Sequence, residues 1–106
     1  MMDPAVHHAL LVARGDFTDP DASWLAFLQA VRDTGLTVLQ TGFHLFPGGG
    51  FTGMVLLAES HAAVHTWPEQ GLAWVELLSC GEADGPARFA RGLLEHHFAR
   101  SLEPAK

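Results

Sequence analysis

The sequence is short of positive charge: its six cations, Arg14, Arg32, Arg88, Arg91, Arg100 and Lys106, stand against 12 acidic residues, for a formal net charge of −6. They form no basic stripe that could replace counterions along a phosphate backbone, so nucleic acid is not an expected partner. The single lysine is Lys106, at a position with no packing to desolvate it, which argues against amine chemistry through a buried lysine. Any such chemistry would need an electrophilic carbonyl from another source. Long apolar runs are missing too. Nothing approaches the roughly 18 residues that span a bilayer, and the opening MMDPAVHHALLVARGD lacks the basic start and small-residue cleavage site of a signal peptide. The expectation is a cytoplasmic protein that does not associate with membranes. One cysteine, Cys80, can form no internal disulfide, and is either a buried apolar filler or a thiol kept for chemistry.

The 106 residues suit one domain, 1–106, because compact domains most often run about 100–150 residues. A chain of this size buries roughly 60–70% of the surface that its unfolded form exposes. Charged residues are only 17% against 48% hydrophobic, a low charged fraction for a small domain. Part of its apolar surface is therefore expected to be covered by a partner.

Residues 7–15 read as a short apolar strand ended by Gly15. Asp19 can cap a helix with Pro20 in its first turn, and Trp24, Phe27, Leu28 and Val31 repeat at helical spacing before Gly35. Residues 36–46 have strand composition, 47–50 (PGGG) form a loop, and a strand over 51–60 runs into 61–71, which continues extended toward Pro68 and Gly71. Another buried strand covers 72–80, a helix spans Pro86 to about Phe98, and 101–106 form a frayed tail. The order strand, helix, two or three strands, helix predicts an α+β fold: a two-layer sandwich of antiparallel sheet with both helices on one face. The other, apolar face is left for a second copy, a homodimer.

The chemistry is concentrated between residues 50 and 71, where Glu59, Ser60, His61, His65, Trp67 and Glu69 follow an apolar strand. A metal is not expected: on an extended chain a separation of four, as from His61 to His65, is about 13 Å, too far to clamp one ion. Ser60 lacks the Gly-x-Ser-x-Gly elbow of a hydrolase. The PGGGFTG stretch precedes a strand and has no lysine, so it meets neither phosphate-binding fingerprint.

ESHAAVHTWPE (59–69), preceded by GFTG (50–53) and followed by SCG (79–81), resembles the prokaryotic S-adenosylmethionine decarboxylase proenzymes. The likeness covers roughly 42–98; the first strand and helix agree only in pattern. It implies that Ser60 attacks the carbonyl of Glu59, cutting the chain into 1–59 and 60–106 and leaving a pyruvoyl group derived from Ser60 as the cofactor. It further implies that His65 assists processing, that Cys80 reprotonates the product carbon, that Phe46 stacks on adenine and that Glu69 holds the ribose hydroxyls, with Thr52 a pocket contact. In that scheme the substrate amine condenses with the pyruvoyl carbonyl, which withdraws electrons as carbon dioxide leaves. The expected partners are this small-molecule substrate and a second copy, with the active site near their interface.

Two departures stand out. Thr52 takes the place of the family's usual serine, and its extra methyl stiffens the side chain. The first strand lacks the acidic residue expected there. Both leave open a family member shifted to arginine or ornithine by the same chemistry. A further alternative is an uncut, non-enzymatic dimeric binding module in which Ser60, His65, Cys80 and Phe46 are ordinary packing and strand-end residues.

Overall fold

The computed structural model describes residues 6–80 and 83–105. Six strands and two helices follow in the order β1 (Val6–Arg14), α1 (Pro20–Arg32), β2 (Val38–Leu45), β3 (Phe51–Leu57), β4 (Ser60–Trp67), β5 (Leu72–Cys80), α2 (Gly85–Glu95) and β6 (Ser101–Pro104). The strands form one sheet in the order β2-β3-β4-β5-β1-β6, and every pairing is antiparallel. The fold is the expected α+β sandwich, with both helices on one face of the sheet.

Local chemistry sets the helix that covers the sheet. Asp19 Oδ1 accepts the Ala22 N–H at 3.1 Å, satisfying one of the unpaired donors of the first turn, and Pro20 occupies that turn. Ala26, Phe27, Ala30 and Val31 of α1 are buried against inward-facing Val55, Val64, Val75 and Leu77 of the strands and Phe89 and Leu93 of α2, in one continuous core. Alternation along the strands selects the inward residues. Gly53 makes close docking possible: a Cβ there would lie 2.3 Å from Cζ3 of Trp24, so the indole rests directly on the β3 backbone. Gly92 likewise lets α2 approach Ala30, whose Cα would be 2.9 Å from a Cβ at that position.

Three expectations need correction. The stretch 51–71 is not one extended run, because a two-residue turn at Ala58 and Glu59 separates β3 from β4, giving four strands between the helices rather than two or three. The second helix stops at Glu95, not near Phe98. His97 adopts φ 62°, the Ala99 N–H bonds the Leu93 carbonyl at 3.1 Å, and the chain reverses so that Phe98 packs on Phe17 with ring centroids 5.1 Å apart. The tail is not frayed from 101: Ser101–Pro104 pairs with β1 and uses an edge that β1 would otherwise expose. Lys106 lies outside the described residues.

The face away from the helices carries exposed Leu10, Met54, Leu56 and Trp74, in register across β1, β5, β4 and β3 with Glu76, Ala63, His61 and His65.

Candidate functional site

The tightest turn of the sheet carries the proposed scissile bond. Leu57 and Ser60 are the last pair of the β3–β4 ladder, and Glu59 between them has φ 61°. A residue with a Cβ in this left-handed region is strained by contact between that Cβ and the following carbonyl, and strain of this kind is concentrated at functional sites. Ser60 is 8% exposed. Its Oγ accepts the backbone N–H of Cys80 at 3.1 Å, so the neighbouring strand holds the Ser60 hydroxyl in place. Glu59, Ser60 and Cys80 thus gather at one end of the sheet.

The remaining expected residues gather at the other end. Phe46, Thr52, His65 and Glu69 all line a cleft of about 390 Å³, together with Gly50 and Trp67. The β2–β3 loop is closed by the Phe46 N–H to Gly50 carbonyl bond of 2.8 Å, which leaves the Phe46 ring half exposed at the rim and 4.7 Å from the ring of His44. Thr52 and His65 face each other across β3 and β4, and Thr52 Oγ1 lies 3.0 Å from His65 Nδ1. Behind them the Phe51 N–H donates to Thr66 Oγ1 at 3.0 Å, fixing the two strands at the cleft floor. Glu69 enters from the single helical turn Pro68–Gln70, ended by Gly71 at φ 60°.

These clusters do not meet within one protomer. Ser60 and His65 are five positions apart on β4, about 16 Å at roughly 3.3 Å per residue. Their side chains also leave opposite faces, Ser60 on the helix side and His65 on the open side. The Cys80 backbone amide joins Ser60, and His65 does not.

Two polar residues without an assigned role stand out. Glu76, the one carboxylate of β5, accepts from His61 Nε2 at 3.1 Å and faces His8 Nε2 at 3.4 Å. The His61 hydrogen bond holds its carboxyl below the ordinary carboxylate range; partial burial opposes this and His8 adds to it. Ser79, next to Cys80, is buried with its hydroxyl unpartnered among the described residues. Alternation from Leu77 points it inward, a signal present in the sequence. Among the described residues no three His, Cys, Asp or Glu side chains converge as metal ligands.

Residues 12–103 match the S-adenosylmethionine decarboxylase family, and the chain belongs to that family. An S-adenosylmethionine decarboxylase proenzyme of Pseudomonas aeruginosa is 40% identical over 82 residues, covering 76% of this chain and 51% of the relative. One of Pyrococcus abyssi is 35% identical over 103 residues, covering 93% of this chain and 74% of its own length. The chain therefore spans about half the length of the Pseudomonas relative and about three quarters of the archaeal one. The crystal structure of the adenosylmethionine decarboxylase from Aquifex aeolicus superposes with a TM-score of 0.83 at 26% identity, over 98% of this chain and 89% of that one. Among the described residues no helix is long and apolar enough to cross a membrane.

Proposed function

We propose that this chain is a self-cleaving, pyruvoyl-dependent decarboxylase of S-adenosylmethionine, cut between Glu59 and Ser60 and supplying the aminopropyl donor for spermidine synthesis. One observation carries the reading: the bond to be cut follows a non-glycine residue held at φ 61°, beside a serine oxygen that the Cys80 amide already orients at 3.1 Å. An ordinary hairpin would place glycine or asparagine at such a position.

The residues fit a pyruvoyl group at position 60. Ser60, at a strand end, would supply the carbon skeleton of the group, and a cavity of about 490 Å³ lies beside the neighbouring Ser79 and Cys80. When present, the group supplies a carbonyl that takes the substrate amine and draws electrons from the bond to the departing carboxylate. Cys80 delivers a proton from Sγ to the carbon left behind. At the other end, Phe46 stacks on the adenine, Glu69 accepts from the ribose hydroxyls, and the hydrogen-bonded Thr52 and His65 pair moves protons during processing.

Because the turn that carries Ser60 and the cleft that holds His65 lie at opposite ends of β4, we assign the complete site to a homodimer. Two sheets stacked through the open face in opposite senses bring the turn end of one protomer to the cleft of its partner, and cover Leu10, Met54, Leu56 and Trp74. The free Cys80 thiol suits the reducing cytoplasm. Release of carbon dioxide from S-adenosylmethionine, ornithine and arginine, measured side by side, tests the substrate. Turnover of S-adenosylmethionine alone is expected; preferential release from either basic amino acid would overturn the assignment.

A further inference from the structure

The hydroxyl of Ser79 is 1% exposed and has no hydrogen-bond partner among the described residues. A buried hydroxyl without a protein partner is destabilising and calls for a reason. Its position supplies one. The register that pairs His61 with Leu78 sets Ser60 opposite Ser79 at the next step, and both side chains turn to the helix face, where opposed Cβ atoms lie about 5 Å apart. Ser79 lines the cavity of about 490 Å³ with Thr34, Leu36 and Gly85. At Gly85, the first residue of α2, a Cβ would sit 3.1 Å from Ser79 Oγ. The Asp84 side chain makes no capping bond at this helix end and pairs with Arg88 Nη2 at 2.8 Å instead. Among the described residues, then, no side chain caps the first turn of α2, and the positive end of that helix lies beside Ser79.

We infer that Ser79 serves self-cleavage: its O–H donates to the oxygen that becomes negative on the Glu59 carbonyl carbon, an interaction that strengthens as the charge develops. The inference rests on the self-processing reading above. Ser60 Oγ forms a bond to that carbon while the carbonyl electron pair moves onto its oxygen. The Ser60 proton passes to the amide nitrogen, the C–N bond breaks, and the carbonyl re-forms as an ester with residue 60 now an amine. Loss of the residue 60 Cα proton then breaks the Cβ–O bond and releases 1–59 as a carboxylate. The dehydroalanine left at residue 60 moves a proton from its nitrogen to Cβ and becomes an imine, which water hydrolyses to the ketone and ammonia. Water is the only co-reactant, and no oxidant or reductant is consumed. A donor poised for the first, charge-developing step is worth most in a water-excluded site.

The hydroxyl's two effects have opposite signs, and this separates a role in the reaction from a structural one. Cleavage of freshly expressed Ser79→Ala, followed by intact mass, is expected to be about 100-fold slower than wild type. The near-isosteric Ser79→Cys, a weak donor, should fall between. In a Ser60→Ala background, where no chain can be cut, adding Ser79→Ala should raise the melting temperature by roughly 4 °C because an unpaired hydroxyl is removed. Wild-type cleavage rates in Ser79→Ala would overturn the inference and leave the self-processing reading intact. Slow cleavage together with a lower melting temperature would overturn it as well, by making Ser79 structural. A wild-type chain that never cuts would remove the reading on which it rests.

Discussion

Relaxing the backbone at residue 59 should slow self-cleavage. Glu59 holds φ 61°, a conformation that costs a residue with a Cβ about 1–2 kcal/mol and glycine almost nothing. If that energy is released as the Glu59–Ser60 bond breaks, it lowers the barrier in the native chain by up to the same amount. Glu59→Gly removes the strain from the starting state, so cleavage should slow by about 5- to 30-fold. The equilibrium stability of the uncut chain should change little, because glycine also costs about 0.5–1 kcal/mol in unfolded-chain entropy. Glu59→Ala is the control, since it keeps the strain and removes only the carboxylate. The assay is the fraction of cut chain against time after synthesis, resolved by intact mass. Native-rate cleavage in Glu59→Gly, or equal slowing in the glycine and alanine variants, would refute the argument from strain.

Gly53→Ala should lower the stability of the fold by about 1–3 kcal/mol, since its Cβ would fall 2.3 Å from Trp24; thermal melting followed by tryptophan fluorescence checks this. The His61 hydrogen bond holds the Glu76 carboxyl below its ordinary value, so the folded chain binds fewer protons there than the unfolded one. Its stabilisation is full above that value and fades as pH falls through the lower folded one. Glu76→Gln should therefore flatten the loss of stability below about pH 4.5, by only a few tenths of a kcal/mol because the pair is part exposed, as read from urea melts at stepped pH. Glu69→Gln exchanges a charged acceptor for a neutral one at the cleft. KM should rise about 10-fold or more with kcat nearly unchanged, and a fall in kcat alone would contradict a role in binding the ribose.

Much of the fold was legible because periodicity carries it. The Asp19 cap, the α1 apolar stripe and the alternation of β5 each have a direct sequence signal. The turn at Glu59 did not, because a left-handed φ is normally marked by glycine or asparagine, and here a glutamate bears it. Local rules fail where strain has a use. The β6 strand was hidden because SLEP is too short and too polar to announce pairing, and only the edge of β1 gives it a partner. In the site, Phe46, Thr52, His65 and Glu69 do share one cleft. Separation of that cleft from Ser60 and Cys80 follows from the strand's pleat and length, which residue spacing alone does not convert into distance until β4 is known to begin at Ser60. Ser79 was readable by alternation from Leu77, but its missing partner is a property of the packed structure.

Intact-mass analysis of the purified wild-type protein, with and without borohydride, tests the central claim most directly. Two chains, 1–59 and 60–106, are predicted, the second beginning with a ketone that borohydride reduces. A single folded, uncut chain that borohydride leaves unchanged would contradict the account.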